Sequence, residues 1–374
     1  MSHHKHLLAT IVSANHVPQA LTLYSYASAT NPEAHFIIFL VGERGADYEL
    51  FEGPEWIWWD QLLSESDREV LAREYTPFEL VCSIRGRVHH YLATSRQFMK
   101  WVILDTDIGI YSSLEAIWKA LDSASIAFAA HAECPVSMDH VPQHEGAFIK
   151  GGLFNGGVVA MKKSLVAQQA SEWLDSRLRY FGHDYYNRLA KRMDTFYDFE
   201  YVDQIWLNLL FLYFRSEVAI LDGEVCNLGH WNLHQVNLVF HDGEAFVNGK
   251  KLQIAHFSGL PTRDKLNQVS IHSRLYIDSP SAPWSFLAQD YLDRLDRSQS
   301  LYPAYTYPYS AVQPQQTPDS HPSIAGYKYE SVTSLLSMLN TSNLLKVLSN
   351  PVKSRLYLKY FIAKVGESLG FLRV

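Results

Sequence analysis

The stretch Trp101–Val102–Ile103–Leu104–Asp105–Thr106–Asp107–Ile108–Gly109–Ile110 constrains the chain more than any other. Four apolar residues, two of them β-branched, predict a short buried strand that ends abruptly in two carboxylates one residue apart. If the backbone stays extended beyond the strand, side chains i and i+2 point the same way, so Asp105 and Asp107 converge past its carboxyl end. Hard oxygen ligands in that number suit Mg²⁺ or Mn²⁺, which complete their shells with water and phosphate oxygens, so the pattern implies a divalent cation and a diphosphate. The plainer reading is a pair of acids that cap a turn and the next helix.

Such a strand needs a large core around it, and 374 residues suffice for one large α/β domain with an appendage. With 47% hydrophobic against 19% charged residues the composition is globular, and a net charge of −7 argues against a general nucleic-acid binder. Cys82, Cys134 and Cys226 stand far apart with no CxxC spacing, which fits a reducing compartment and neither a disulfide framework nor a cysteine zinc site. The first six residues run straight into an apolar strand too short for a signal peptide, and no apolar run reaches membrane-span length, so a cytoplasmic protein is expected.

Along the chain, Leu7–Ser13 reads as a strand, Val17–Ala29 as a helix and His35–Val41 as a second strand. This is a βαβ unit, whose ligands bind at the carboxyl ends of its strands. Ser13 and Asn15 sit at such an end, where they either touch a nucleotide or cap the helix. The tryptophans of Glu55–Asp60 form either a platform for sugar rings or a third strand with packed aromatics. Ser64–Glu74 and Pro77–Thr94 read as helices, and Arg85 on the second is the candidate cation for a diphosphate. Ser112–Leu121 is a helix and Ser125–His131 a strand, followed by an irregular stretch over 133–150 that reads as a loop on the acceptor side. Gly151–Gly152–Leu153–Phe154–Asn155–Gly156–Gly157 then brings backbone close to a ligand before another buried strand.

Asp-x-Asp after an apolar strand, followed some fifty residues on by Phe154–Asn155–x–Gly157, resembles the substrate-contacting segments of GT-A glycosyltransferases, especially the retaining glycogenin and galactosyltransferase-like group. Asp203–Gln204 at the start of an apolar helix resembles that group's Asp–Gln, which faces the sugar from the side opposite the metal; a plain N-cap is the alternative for Asp203. Trp231–Asn232–Leu233 and His256–Phe257–Ser258–Gly259, separated by hairpin turns at Asp242–Gly243 and Asn248–Gly249, resemble closing motifs of bacterial glycosyltransferases. The match runs from Leu7 to about Lys265. It implies a mixed central sheet flanked by helices over 1–277, a nucleotide-sugar donor such as a UDP-sugar, and Mn²⁺ or Mg²⁺ on Asp105, Asp107 and His256. It further implies Asn155, Asp203 and Gln204 around the sugar; Ser13, Asn15, Arg85, Asp105, Gly259, Arg263 and Lys265 are the candidates to face the donor. Transfer with retention to a glycan or lipid-linked acceptor, in bacterial surface polysaccharide or glycoconjugate synthesis, is the activity implied. Thr262 stands where the group has a phosphate-holding lysine, and Ser83–Ile84–Arg85–Gly86–Arg87 stands where related chains carry Lys–Pro.

Two other classes share part of this pattern. A haloacid-dehalogenase phosphatase also uses strand–Asp-x-Asp, but on its first strand and continuing differently from Ile108–Gly109. A non-catalytic sugar-binding protein on the same fold should have lost an acid or the distal histidine, and Asp105, Asp107 and His256 are all kept. Past 277 a helix and a Pro/Tyr-rich linker are expected over 278–329, then basic amphipathic helices over 330–374. Residues 343–374 carry six Lys or Arg against one Glu, which suits either an anionic membrane surface or the acidic body of the protein itself.

Overall fold

A computed structural model of the chain describes residues 5–42, 52–75, 77–95, 97–141, 144–180, 203–260, 269–270 and 281–302. Its centre is a mixed sheet built from β1 (His6–Ser13), β2 (His35–Val41), β3 (Glu55–Trp58), β4 (Lys100–Leu104), β6 (Ile126–Ala130), β7 (Phe154–Lys162) and β8 (Val218–Leu221). The order is β3-β2-β1-β4-β7-β6-β8. Neighbours run parallel except at β7, which is antiparallel to both β4 and β6.

Both faces of the sheet are apolar. Leu8, Val12, Ile38, Leu40, Val102 and Leu104 pack into one core, and Leu7, Ala9, Ile37, Phe39, Trp101 and Ile103 into the other. A strand buried on both sides gains nothing in polarity from any one register. The buried hydroxyl of Thr10 supplies what the pattern lacks: it donates to the Leu104 carbonyl at 2.8 Å. A slip of β1 against β4 would leave that hydroxyl unsatisfied, at about 1–3 kcal/mol.

Helices cover both faces. On the first lie α1 (Val17–Thr30), α5 (Glu115–Ser123) and α10 (Ala282–Leu301), and on the second α2 (Glu65–Glu74), α3 (Pro77–Ser83), α4 (Arg85–Thr94), α7 (Leu165–Tyr180) and α8 (Gln204–Phe214). Ser64 caps α2 by accepting from the Asp67 amide, and Ser281 caps α10 ahead of Pro283. This is the mixed-sheet α/β architecture that the resemblance implied. The boundaries at 277 and 329, the linker and the basic tail all lie outside the described residues. Helix α10, beyond the first boundary, buries Trp284, Leu287, Ala288 and Tyr291 in the first core.

Two local expectations change, and one left open is resolved. Pro77–Thr94 is two helices, broken at Ile84 where the Ser83 hydroxyl turns back to the Leu80 carbonyl at 2.8 Å. The stretch over 133–150 contains a short helix, α6 (Glu145–Gly151). Of the tryptophans of Glu55–Asp60, Trp56 and Trp58 lie on the edge strand β3 and Trp59 opens the 3-10 turn after it; Trp58 and Trp59 are buried, which favours packing over a sugar platform.

Two small ladders complete the fold. After a short helix, α9 (Gly223–Cys226), strands β9 (Leu238–His241), β10 (Glu244–Val247) and β11 (Lys250–Lys251) form an antiparallel meander. Its two turns are Asp242–Gly243 and Asn248–Gly249, all four residues at positive φ, as primed hairpin turns require. The other ladder pairs β5 (Ile108–Ile110) antiparallel with β12 (Ile254–His256). No helix among the described residues is long and apolar enough to cross a membrane.

Candidate metal-centred active site

The backbone does not stay extended past β4. Residues 105–107 turn, and β5 then runs alongside β12, so Ile108 pairs with His256. The turn and the ladder together bring Asp105, Asp107 and His256 to one point. Asp107 Oδ1 lies 3.0 Å and Asp105 Oδ2 3.9 Å from His256 Nε2. One ligand atom from each residue falls within 4.8 Å of the other two.

The turn is held from several sides. The Asp105 amide donates to the Gly157 carbonyl (2.9 Å), the Phe257 amide to the Asp107 carbonyl (2.8 Å), and the Tyr291 hydroxyl of α10 to the Thr106 carbonyl (3.1 Å). Asn227 fixes the imidazole: its Oδ1 is 3.0 Å from His256 Nδ1, so Nδ1 carries a proton and Nε2 is turned to the carboxylates. Asn232, from the Trp–Asn–Leu motif, braces that neighbourhood by donating to the Gly223 and Asn227 carbonyls. Burial alone would pull the His256 imidazole down, but Asp107 and Asp105 override it and hold it above its ordinary value. Asp107 is correspondingly lowered: desolvation opposes its charge and His256 outweighs it. A divalent cation would replace that proton as the partner of the same three atoms, and the donor set of two carboxylates and one imidazole fits one.

Beside this corner, Arg85 ties two acids together. Its Nη2 is 2.6 Å from Asp105 Oδ1 and its Nε 2.8 Å from Asp203 Oδ2, and Nη1 donates to the Gly156 carbonyl. Its guanidinium is thus engaged by carboxylates, and the residue lines the cavity described below. Burial raises the Asp203 carboxyl; Arg85 opposes that and Asp105 adds to it, leaving it above the usual range. Gln204 donates to the Gly151 carbonyl at 2.9 Å. The Asn155 carbonyl accepts from the Gly157 amide (2.8 Å), which points its NH₂ at His131 Nε2, 3.3 Å away.

All of this surrounds a cavity of about 1250 Å³ at the carboxyl ends of β1 and β4. Ser13, Arg85, Asp105, Asp107, Asn155, Asp203, Gln204, His256 and Gly259 line it. Asn15 does not; it accepts from the Ser13 hydroxyl at 2.6 Å from behind. Arg263 and Lys265 lie outside the described residues. Asn227, His131 and Tyr291 escaped sequence reasoning as site residues. Gly157, the glycine of the Phe–Asn–x–Gly motif, stands where a Cβ would run into His256 Cε1 and come within 2.8 Å of Asp105 Oδ2.

No family model matches the chain, and no curated protein matches it. Among solved structures it is similar to the galactosyltransferase LgtC in complex with donor and acceptor sugar analogs, at 13% identity over 78% of this chain and 95% of that one, with a TM-score of 0.45. It is also similar to mouse xyloside xylosyltransferase 1 (16% identity, 60% of this chain and 86% of that one, TM-score 0.34). A third is the glycosyltransferase GlyE of Streptococcus pneumoniae TIGR4 (15%, 81% and 66%, TM-score 0.38).

Proposed function

We propose that the chain is a GT-A-type glycosyltransferase that moves a sugar from a nucleoside-diphosphate donor, a UDP-sugar by the motif resemblance, to a glycan or lipid-linked acceptor. The observation that carries this reading is the convergence of motifs far apart in sequence on one cavity: Asp105, Asp107 and His256 at one corner, Asp203 and Asn155 beside it. Mn²⁺ is favoured over Mg²⁺ because one ligand is an imidazole. When bound, the cation neutralises charge on the departing diphosphate.

The chain's own residues supply the rest. Asn155, fixed at both ends of its amide, and Asp203, fixed by Arg85, hold a sugar in one orientation, so that binding energy goes into positioning. Retention of configuration follows by resemblance, with no side-chain base required. Under inversion Asp203 or a loop acid such as Glu145 would be the candidate base; Asp203 is paired with Arg85, and Glu145 does not line the cavity and accepts from the Val136 amide at 3.0 Å. Assembly of bacterial surface glycans by a cytoplasmic enzyme is the setting this reading suits.

Purified protein incubated with a panel of nucleotide sugars and Mn²⁺ should release nucleoside diphosphate from one of them, and Asp107→Ala or His256→Ala should abolish both release and metal-dependent nucleotide binding. NMR of early product should show the donor's anomeric configuration. If no donor is turned over and none binds by calorimetry, the reading fails; an inverted product refutes retention alone.

A further inference from the structure

The cavity exceeds the roughly 300–1,000 Å³ of a pocket for one drug-sized ligand, and part of its wall takes no part in the metal corner. His131 stacks on Phe148, with ring centroids 5.0 Å apart and planes within 8°. His144 meets Phe148 edge-on at 4.5 Å, and Trp231 meets His131 edge-on at 5.4 Å. Trp231 in turn meets the ring of His256 at 5.0 Å, so this aromatic wall begins at a metal-site residue. All four side chains line the cavity.

The wall is uncharged. Apart from histidines, the charged residues lining the cavity, among those described, are Arg85, Asp105, Asp107 and Asp203, all in the cluster above. Burial drives the His131 imidazole down to about 4, in keeping with its Nε2 accepting from Asn155, and burial lowers His144 as well.

The wall also has unspent polar atoms. His144 Nε2 is 2.7 Å from the Trp231 carbonyl, which can only accept, so Nε2 carries the proton and Nδ1 keeps its lone pair. None of His131 Nδ1, His144 Nδ1 and Trp231 Nε1 has a hydrogen-bond partner among the described residues, although all three residues are more than nine-tenths buried. One acceptor and two donors therefore stand unused among aromatic rings, and a buried polar atom left unsatisfied is costly. A ligand that satisfies them has apolar C–H faces for the rings, hydroxyls for the polar atoms, and no charge.

We infer that the wall of His131, His144, Phe148 and Trp231 is the acceptor subsite and that it selects an uncharged sugar over a uronic acid or a phosphorylated one. This rests on the glycosyltransferase reading. With a divalent cation on Asp105, Asp107 and His256 committed to the donor diphosphate, an acidic acceptor would find no free cation in the described lining, since the guanidinium of Arg85 is already shared between Asp105 and Asp203.

The test uses the full chain with Mn²⁺ and uridine diphosphate. Methyl β-glucoside, methyl β-galactoside and methyl α-mannoside are compared with methyl β-glucuronide by saturation-transfer NMR. At least one neutral glycoside should receive saturation through its ring C–H protons, and the glucuronide should bind about tenfold more weakly or not at all. His144→Ala should weaken the neutral glycoside about tenfold. His144→Gln, which retains a donor and an acceptor, should recover most of the loss. A glucuronide that binds as well as the neutral glycosides, no neutral binding at all, or parent-like binding by His144→Ala each overturns the inference. Loss of Mn²⁺-dependent uridine diphosphate binding by the parent, with neutral glycosides still saturated, would instead refute the donor reading and leave the sugar subsite standing.

Discussion

Asn227 Oδ1 lies 3.0 Å from His256 Nδ1, and this one contact decides which imidazole nitrogen faces Asp105 and Asp107. Partners of this kind set both tautomer and ring orientation, and their loss typically costs 10–100-fold in metal affinity. Asn227→Ala should therefore weaken Mn²⁺ binding about 10–100-fold by calorimetry, while Asn227→Asp, which still accepts from Nδ1, should retain most of it. Parent-like affinity in Asn227→Ala would make this contact incidental.

Gly157 holds the corner by having no side chain. A Cβ would come within 2.9 Å of Asn155 Oδ1 as well as crowding His256 and Asp105, and none of the three can retreat without losing a partner. Gly157→Ala should lower kcat at least a hundredfold, on the scale that about 1 Å of misplacement costs, while far-UV circular dichroism stays that of the parent. Near-normal turnover would mean that the cluster is looser than its contacts imply.

Arg85→Lys is not conservative, because a lysine cannot reach Asp105, Asp203 and the Gly156 carbonyl at once. With the pairing broken, Asp203 is left buried beside Asp105. Arg85→Ala should lose about 3 kcal/mol in urea unfolding, as breaking a buried ion pair does, and Arg85→Lys somewhat less. Adding Asp203→Asn to Arg85→Ala should recover part of that loss. A double variant less stable than Arg85→Ala alone would show that Asp203 is held by something other than charge.

Acid should destabilise the native state through two neutral imidazoles. Burial, with Arg85 adding to it, drives His89 down to about 3, where its Nδ1 accepts from Trp101 Nε1 at 3.0 Å; burial drives His131 down to about 4. Unfolded histidines take protons near 6.5, so the stabilisation from these two is full above that pH. It is lost as pH falls toward 4, to an extent on the order of 3 kcal/mol for each. The urea midpoint should fall from pH 6.5 to 4, and His89→Gln, which keeps an acceptor for the indole, should flatten part of the slope. An unchanged slope in that variant would remove His89 from the account.

The runs Leu7–Ser13, His35–Val41 and Trp101–Leu104 were legible as strands because burial on both faces leaves continuous apolar sequence. Asp105 and Asp107 were legible as candidates because an apolar run stops at an Asp-x-Asp, and His256 through the resemblance of His256–Phe257–Ser258–Gly259 to a family motif. The turn between the two acids was not, since what bends it is a ladder to residues far downstream. The break at Ile84 was also hidden, because it depends on a serine bonding back to its own helix, with no glycine or proline to mark it. Asn227 acts only through the imidazole it holds, and such a residue leaves no pattern in one sequence.

The ladder that joins β5 to β12 sets an order of events in time. Ile108 must wait for His256, roughly 150 residues later in synthesis, which at about 5–20 residues per second is on the order of 7–30 s. Until then the two aspartates sit on a nascent chain with no imidazole beside them and no partner strand to turn them inward. Capture of the proposed cation would therefore be a late event, completed only after most of the sheet has been made, and metal binding would then serve as a direct readout that the chain has closed.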